Sequence, residues 1–369
     1  MKIKIQQFLF GKQHSWAITG QNLGKALITL GHDVDFISTD GFDEKYCPND
    51  LLPYVKNKPG DNYDCQISYT APHNWANYFN HGLKNRFAIF NYEYINKYPQ
   101  RTLLPGMGKY HNNVDLVLPS SEFSKEVFLN MGIPENKMQV VSHGYNPEDY
   151  STNKVWPVNS KKSKKILLNI SQPHKRKALH LALEAYGRAF NKEDDVCLVV
   201  KINTSNHGNK KFDVDFFKML KTFKQKFPKH AEIEVITKYI PNIHELYNAC
   251  NINFSTAHAE CFHYPSLEAI CSGLINIAPR YGGLLDFCND NNSLLIDVDI
   301  VRAPKDHLYW EVSPYAVHCQ IKMDDAVVKL KRAVNETDSL LNKFKHSSEK
   351  VKTSLIWENI AKQIIGLCV

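Results

Sequence analysis

Short apolar runs alternate along the chain with longer segments in which apolar residues recur at helical spacing. Lys2–Leu9 predicts a first strand, residues 16–30 predict an amphipathic helix, and Val34–Ser38 predicts the next strand. Two strands joined through a helix by short loops form a parallel βαβ unit. The same alternation starts again after a polar, lysine-rich stretch at 151–165. The pattern therefore predicts two α/β halves joined by a linker.

The alternation is most regular in the second half of the chain. Apolar runs predict its strands, and segments with a period near 3.6 predict its helices. We expect strands at 165–170, 196–202, 233–236, 252–255 and 274–278, and helices at 178–190, 212–227, 243–250 and 265–272. Helical patterns also occupy 324–334 and 354–367, whereas residues 300–320 give no clear pattern.

Composition fits a globular protein of the cell interior. A chain of 369 residues suggests two domains, and its 43% hydrophobic content is ordinary for such a protein. No run approaches the roughly 18 apolar residues of a membrane span. The chain enters its first strand directly, without a secretory pattern, and its nine cysteines are scattered without a CxxC pair. We therefore expect a soluble, cytoplasmic protein with reduced thiols.

The net charge of +7 favours an anionic partner without choosing one. A phosphate-bearing donor, an anionic membrane surface and nucleic acid all fit it. Basic residues interleaved with aromatic ones do not occur, so nucleic acid is not the predicted partner, while peripheral contact with a membrane stays open. Asp-Val-Asp occurs at 33–35, 213–215 and 297–299, each time at a predicted strand end or helix start. We predict no metal site there.

The most informative stretch is 257–283. Glu260 lies on a predicted loop after a strand, and Glu268 lies near the start of the following helix, with Pro265 at a first helical position. In parallel α/β sheets, loops after strands and helix N-termini line the ligand crevice. A helix N-terminus also suits phosphate. Two carboxylates eight residues apart are therefore predicted at one binding edge.

This stretch resembles the glutamate-x7-glutamate motif of retaining GT-B glycosyltransferases, in particular glycosyltransferase family 4. Glu260 and Glu268 match the two glutamates. The surrounding positions match through Phe262, Pro265, Leu267, Ala269, Gly273, Gly282 and Gly283. Cys261, His263 and Tyr264 stand where the family usually has glycine, glycine and leucine.

A second part of the chain resembles the end of that family's N-terminal domain. It comprises D-L-V-L-P-S-S-E-F-S-K-E-V-F from Asp115 and V-V-S-H-G-Y-N-P-E-D-Y from Val140. The resemblance implies a GT-B fold, an α/β architecture of two Rossmann-like domains facing across a cleft. The expected boundaries are 1–155 for the acceptor-side domain, 156–350 for the nucleotide-sugar-binding domain and 351–369 for a C-terminal helix crossing back to the first domain.

The resemblance also implies the reaction and the residues on its donor side. A sugar passes from a nucleotide sugar to a hydroxyl with retention of configuration, without a metal or another cofactor. Lys177 would neutralise the diphosphate, Glu260 would bind the donor sugar and stabilise an oxocarbenium-like state, and Glu268 would bind the ribose. Further donor-binding candidates are Phe262, Tyr264, Ser266, Leu267, Ser171, Gln172, Lys175, Arg176, Tyr239 and Ile240.

The family's Gly-Arg pair is replaced here by Ser171 and Gln172, so Lys175 or Arg176 would supply the second cation. Basic residues disfavour a helix N-terminus, so three of them in a row suggest an anion in the same place. For Ile240, a place in the core fits the sequence equally well.

On the acceptor side the candidates are His14, Ser15, Glu93 and His143. A surface histidine and an exposed loop carboxylate are the alternatives for His14 and Glu93. The acceptor would be a glycan or a glycoconjugate. GDP-mannose is the first choice of donor, although UDP-sugars fit the same pattern. A homodimer is compatible with the sequence. The rival functions are a catalytically inactive GT-B binding or scaffold protein and a nucleic-acid-directed protein of the same fold.

Overall fold

The computed structural model describes residues 1–12, 14–80, 82–96, 108–170, 172–202, 215–305 and 313–368. The chain forms two compact units. Unit 1 comprises Met1–Glu93, Tyr98–Asn146 and Ser354–Val369, and unit 2 comprises Tyr94–Lys97 and Pro147–Thr353. Strands and helices are numbered along the whole chain, so the numbers of each unit interleave.

Unit 1 is built on a parallel sheet with the strand order β3-β2-β1-β4-β5-β7. All five residues of the central strand β4 are buried, as expected where helices cover both faces of a parallel sheet. The C-terminal helix α10 packs against α1. The strands are β1 (Lys2–Gln7), β2 (Asp33–Ser38), β3 (Val55–Lys56), β4 (Cys65–Tyr69), β5 (Arg86–Ile89) and β7 (Leu116–Val117); the helices are α1 (Ser15–Thr29), α2 (Trp75–Tyr78), α3 (Glu122–Asn130) and α10 (Trp357–Ile365).

Unit 2 repeats this architecture with a second parallel sheet of order β10-β9-β8-β11-β12-β13. Its strands are β8 (Lys164–Ile170), β9 (Val196–Ile202), β10 (Glu232–Ile236), β11 (Ile252–Phe254), β12 (Ile275–Pro279) and β13 (Ser293–Ile296). Its helices are α4 (Leu179–Ala189), α5 (Phe216–Lys226), α6 (His244–Asn248), α7 (Tyr264–Cys271), α8 (Met323–Asn335) and α9 (Thr337–Ser354). Apolar side chains of β8 and β9 pack with α4, α5 and α8 on one face of the sheet, and with α6 and α7 on the other.

A smaller antiparallel sheet accompanies the large one in unit 2. It pairs β14 (Val298–Arg302) with β15 (Ala316–Ile321), and β15 with the short strand β6 (Ile95–Asn96). The sequence pattern was unclear over 300–320 and did not predict this sheet. Three of the five residues of β14 are exposed, so the strand lacks the strong apolar alternation by which strands are recognised.

The segment 147–155 belongs to unit 2, not to the first domain in which the sequence analysis placed it. Its contacts explain the difference. The Asn248 side-chain amide donates to the carbonyls of Thr152 (2.9 Å) and Lys154 (3.0 Å), and the Tyr150 ring packs on His244. A polar composition suggested a linker, but the segment lies against α6.

Both large sheets follow the strand order of a doubly wound fold, in which the topology reverses beside the first strand. In unit 2 the reversal lies between β8 and β11. The loops that follow these two strands carry residues 172–178 and 255–263. The fold therefore brings the three basic residues Lys175–Lys177, called the basic turn below, and the loop of Glu260 to one edge of the sheet. Within the part of the chain that the structure describes, no helix is both long and apolar enough to cross a bilayer.

Candidate active site

The centre of the site is a three-residue ion cluster of Glu260, Arg176 and Lys177. The Lys177 ammonium donates to Glu260 Oε1 at 2.6 Å, and the Arg176 guanidinium approaches the same oxygen at 2.9 Å. The side chains of Arg176 and Glu260 are 9% and 11% exposed, and that of Lys177 is 19% exposed. Two cations therefore meet one carboxylate in a largely desolvated place.

Charge decides the ionisation of Glu260. Burial opposes the carboxylate, but the adjacent Arg176 and Lys177 outweigh it and hold the pKa of Glu260 well below its ordinary value. Glu260 is therefore ionised at physiological pH. With two cations and one anion, the cluster carries a net charge of +1 and attracts a further anion.

Local backbone structure brings the two loops together. Lys175–Lys177 forms a 3₁₀ turn, and Ala178 adopts a left-handed conformation at φ 50° before α4 begins. The amide of His258 donates to the Arg176 carbonyl at 2.9 Å, and Arg176 Nη1 donates to the Ala259 carbonyl at 2.6 Å. The Thr256 hydroxyl donates to the Ala178 carbonyl at 3.0 Å. These bonds fix the cations against the loop that carries Glu260.

The paired glycines hold the other side of Glu260. The Gly283 amide donates to the Glu260 carbonyl at 2.9 Å. Gly282 has φ 90°, and a Cβ built there would lie 2.6 Å from that same carbonyl oxygen. Glycine is therefore required at 282 both by conformation and by space.

The second carboxylate has a different environment. Glu268 Oε2 accepts a hydrogen bond from the Tyr247 hydroxyl at 2.7 Å, and that hydroxyl in turn accepts from the Asn169 amide at 3.1 Å. Glu268 is half-buried on α7. Burial raises the pKa of Glu268 to about 7, although the Tyr247 hydrogen bond opposes the shift. Tyr247 and Asn169 are functional candidates that the sequence analysis missed, because only the fold brings them to α7.

His263 connects β11 to α7 through its imidazole. Its Nε2 lies 2.9 Å from the Ser255 hydroxyl, and its Nδ1 lies 2.7 Å from the Ser266 hydroxyl. The backbone of His263 is left-handed, at φ 76°, a region that favours glycine. The ring is buried, which lowers the pKa of His263 to about 4 and keeps it neutral at physiological pH.

The part of the chain that carries this site matches a known protein family. Residues 151–307 match the family model described as glycosyl transferases group 1. This part of the chain is therefore similar to a glycosyl transferases group 1 domain. It holds the ion cluster, His263 and Glu268. No curated protein sequence matches the chain.

Solved structures with the same fold cover nearly the whole chain. A glycosyltransferase from Rickettsia africae ESF-5 has a TM-score of 0.68 at 17% identity, with 99% of this chain and 97% of that chain covered. Sucrose-phosphate synthase from Thermosynechococcus elongatus reaches 0.69 at 14% identity, covering 99% and 98%. Anabaena Alr3699/HepE, solved with UDP and glucose, gives the same four values. These likenesses confirm the predicted fold class of two Rossmann-like domains, which match GT-B glycosyltransferase structures. The match to the group 1 family model supports a glycosyltransferase enzyme.

The other donor-side candidates take different positions in unit 2. Phe262 packs against the rings of Tyr264 and Phe287, each at 5.1 Å between centroids, and Leu267 is fully buried in α7. Ser266 contacts His263, as described above.

The remaining donor-side candidates that the structure describes lie outside the ion cluster. Gln172 Oε1 lies 2.7 Å from His174 Nε2. Lys175 opens the basic turn, whereas the ion pairs with Glu260 come from Arg176 and Lys177. Tyr239 is 55% exposed. The side chain of Ile240 is buried in the core, which is the alternative to donor binding that the sequence left open. Ser171 lies outside the described residues.

Of the acceptor-side candidates of unit 1, His143 belongs to a polar cluster. His14 caps α1, because its Nδ1 accepts from the Trp16 amide at 3.3 Å; Ser15 is exposed at the first position of that helix, and Glu93 is half-buried after β5. His143 Nε2 accepts from the Asn91 amide at 3.3 Å. Burial lowers the pKa of His143 to about 3, so this histidine is neutral.

Asn91 is the centre of that cluster, which the sequence analysis missed. Its amide nitrogen also donates to the Tyr69 hydroxyl at 2.8 Å, and its oxygen accepts from the Ser120 hydroxyl at 3.0 Å. Tyr69, Asn91 and Ser120 lie at or just beyond the carboxyl ends of β4, β5 and β7. That edge is where a doubly wound fold binds ligands.

No group of three or more His, Cys, Asp or Glu side chains in the described ranges is arranged to hold a metal ion. In two of the Asp-Val-Asp stretches, three of the four acidic side chains contact residues of the protein itself. Asp35 accepts from the Tyr63 hydroxyl at 2.8 Å, Asp297 lies 3.5 Å from Arg280, and Asp299 lies 3.9 Å from Lys322. Residues 213 and 214 of the third stretch lie outside the described residues.

Proposed function

We propose that the protein is a retaining glycosyltransferase that takes its sugar from a nucleotide-sugar donor bound at the ion cluster. The observation that carries this proposal is the convergence of Arg176 and Lys177 on Glu260, at the edge of a parallel sheet where its topology reverses. The location of this cluster within a group 1 domain supports the same assignment.

The basic pair has the charge that the reaction needs. When the glycosidic bond of a nucleotide sugar breaks, negative charge grows on the departing diphosphate. Preorganised cations in a desolvated place stabilise such charge better than water does. A diphosphate bound here shares Arg176 and Lys177 with Glu260. The hydrogen bond from Arg176 to the Ala259 carbonyl keeps the guanidinium in position when the diphosphate binds.

The two carboxylates then serve different parts of the donor. Glu260 is a fixed anion and faces the sugar, where it hydrogen-bonds hydroxyls and stabilises positive charge as an oxocarbenium-like state develops. Glu268, held by Tyr247, binds the ribose hydroxyls. The acceptor is a hydroxyl of a glycan, a lipid or a protein-linked sugar. No metal or other cofactor takes part in the proposed reaction.

The base and the sugar of the donor are open to direct test. GDP-mannose is our first candidate and UDP-glucose is its rival. The rival is supported by the structures of Anabaena HepE with UDP and with UDP-glucose. Calorimetric titration with GDP-, UDP- and ADP-sugars ranks them, and NMR of the product gives the configuration of the new glycosidic bond. An inverted configuration in the product would refute the retaining mechanism. Tight donor binding without transfer or hydrolysis would refute the proposal that the protein is an enzyme.

Replacing Lys177 tests the site itself. Lys177→Gln should lower kcat by a factor on the order of 10²–10³, which is typical when a preorganised group facing transition-state charge is removed. Affinity for the nucleoside alone should change little. Lys192→Gln is the matched control, because Lys192 is 67% exposed on the same unit and precedes β9 at the opposite edge of the sheet. Equal kcat in the two variants would place the diphosphate elsewhere.

A further inference from the structure

A seam of hydrogen bonds joins the Glu260 loop to strand β15 of the small antiparallel sheet. The Cys319 amide donates to the His258 carbonyl at 2.9 Å. The Cys319 thiol donates to the Ala257 carbonyl at 3.5 Å, and His258 Nδ1 lies 2.7 Å from the Cys319 carbonyl oxygen. One residue of β15 therefore contacts two successive residues of the loop.

The partner of His258 Nδ1 determines which ring nitrogen carries the proton. A carbonyl oxygen only accepts hydrogen bonds, so Nδ1 must be the donor. The ring is 4% exposed, and burial lowers the pKa of His258, so the ring is the neutral Nδ1–H form at physiological pH. A side chain with a donor at the Nδ1 position can make this bond, and one with a donor only at the Nε2 position cannot.

The backbone of the same residue reaches the cations. The His258 amide donates to the Arg176 carbonyl at 2.9 Å, and the next residue, Ala259, accepts from the Arg176 guanidinium at 2.6 Å. Glu260 follows directly and takes the ion pairs. His258 is thus the point at which β15, the basic turn and the Glu260 loop are tied together.

We propose that His258 is a positioning residue of this enzyme, whose Nδ1–H bond to Cys319 fixes the Glu260 carboxylate relative to Arg176 and Lys177. This inference rests on the proposed function. It assigns His258 no contact with the donor. Its effect passes through the loop, because a carboxylate displaced by about 1 Å from its productive place can cost a large part of the rate.

The experiment compares two amides that differ in the location of their donor. In His258→Asn the amide nitrogen takes the place of Nδ1, whereas in His258→Gln it reaches the place of Nε2. We expect His258→Asn to keep kcat within about threefold of wild type and His258→Gln to lose about tenfold or more. The donor KM and the affinity for bare nucleoside diphosphate should stay within about threefold in both, since Arg176 and Lys177 keep their charges.

His180→Ala is the control for the loss of a neighbouring ring. The rings of His180 and His318 lie 6.2 Å and 4.3 Å from that of His258, and His180 is exposed on α4. We expect this variant to keep wild-type kcat. Equal kcat in His258→Asn and His258→Gln would overturn the positioning role, as would a loss confined to KM.

An activity-independent measurement separates this inference from the proposed function. Amide hydrogen exchange of the peptide that contains 256–262 should accelerate in His258→Gln and remain slow in His258→Asn. Equal exchange rates in the two variants would overturn the inference that the His258–Cys319 hydrogen bond holds the loop in place. If exchange differs as expected but wild type transfers and hydrolyses no nucleotide sugar, the structural link is supported and the proposed function fails.

Discussion

Replacing Glu268 by glutamine removes a carboxyl group whose pKa is raised from 4.5 to about 7 by burial. The folded protein binds this proton more tightly than the unfolded chain does. The stabilising effect of the proton is therefore complete below about pH 4.5, falls as the pH rises, and is lost above about pH 7. The ionised carboxylate then lies in a place that disfavours it.

The size of the effect follows from the shift. A pKa difference of one unit corresponds to about 1.4 kcal/mol, so the full shift sets an upper limit of about 3 kcal/mol. Glu268 is only half-buried and solvent screens part of the cost, so we expect about 1–3 kcal/mol. Glutamine keeps an oxygen for the Tyr247 hydroxyl and carries no charge. The stability of Glu268→Gln relative to wild type should therefore rise by this amount between pH 4.5 and pH 8.

Differential scanning calorimetry over that pH range measures the difference, because it can separate the transitions of two domains. The buried histidines are the same in both proteins, so their contributions to the pH dependence of stability cancel in the comparison. Glu193→Gln is the matched control, since Glu193 is 79% exposed on the same unit. A stability difference between Glu268→Gln and wild type that stays constant from pH 4.5 to pH 8 would refute the raised pKa.

Three further predictions concern the backbone near Glu260 and the metal independence of the proposed reaction. Gly282→Ala should lose about 1–3 kcal/mol more stability than Gly273→Ala, because both glycines have positive φ but only the first faces a backbone oxygen, at 2.6 Å; equal losses in urea titrations would contradict this. His263→Gly should destabilise by about 1–2 kcal/mol, because two buried hydroxyls each lose the imidazole as a hydrogen-bond partner while backbone strain is relieved, whereas Ala178→Gly, at φ 50°, should be close to neutral; a stabilised His263→Gly would argue against a stabilising role of these two hydrogen bonds. In the proposed reaction, protein cations neutralise the leaving diphosphate, so turnover should survive EDTA; complete loss that Mg²⁺ or Mn²⁺ restores would overturn the metal-free reaction.

The sequence predicted the parts of the fold that have strong local signals. The helix after Glu260 is one example: Pro265 lies in its first turn, and Gly273 lies just past its end with φ 76°. The apolar runs of the second sheet predicted five of its six strands within one or two residues, because buried parallel strands are almost continuously apolar. No strand was predicted at the position of the sixth, β13.

Tertiary contacts are what the local pattern could not supply. Arg176 was one of two alternatives for the second cation, and only the 3₁₀ turn directs it, together with Lys177, at Glu260. Tyr247 is an ordinary apolar position of a short helix until the fold places its hydroxyl on Glu268. The small antiparallel sheet depends on pairing between β15 and β6, which are more than 200 residues apart, so neither segment carries the signal alone.

The two glutamates of the motif illustrate how one fold separates chemical roles. Both carboxyl groups are at least partly removed from water, and burial alone would raise the pKa of each. Glu260 has two cations within 3 Å and stays ionised, whereas Glu268 has a neutral hydroxyl and takes up a proton near pH 7. Environments that push two pKa values apart assign different tasks to identical side chains. Glu260 can therefore act as a permanent anion beside a developing positive charge. In the proposed reaction, Glu268 accepts a hydrogen bond from a ribose hydroxyl when ionised and donates one when protonated, so nucleotide binding should depend on pH near 7. The ionisation of Glu260 should add no pH dependence to sugar transfer in that range.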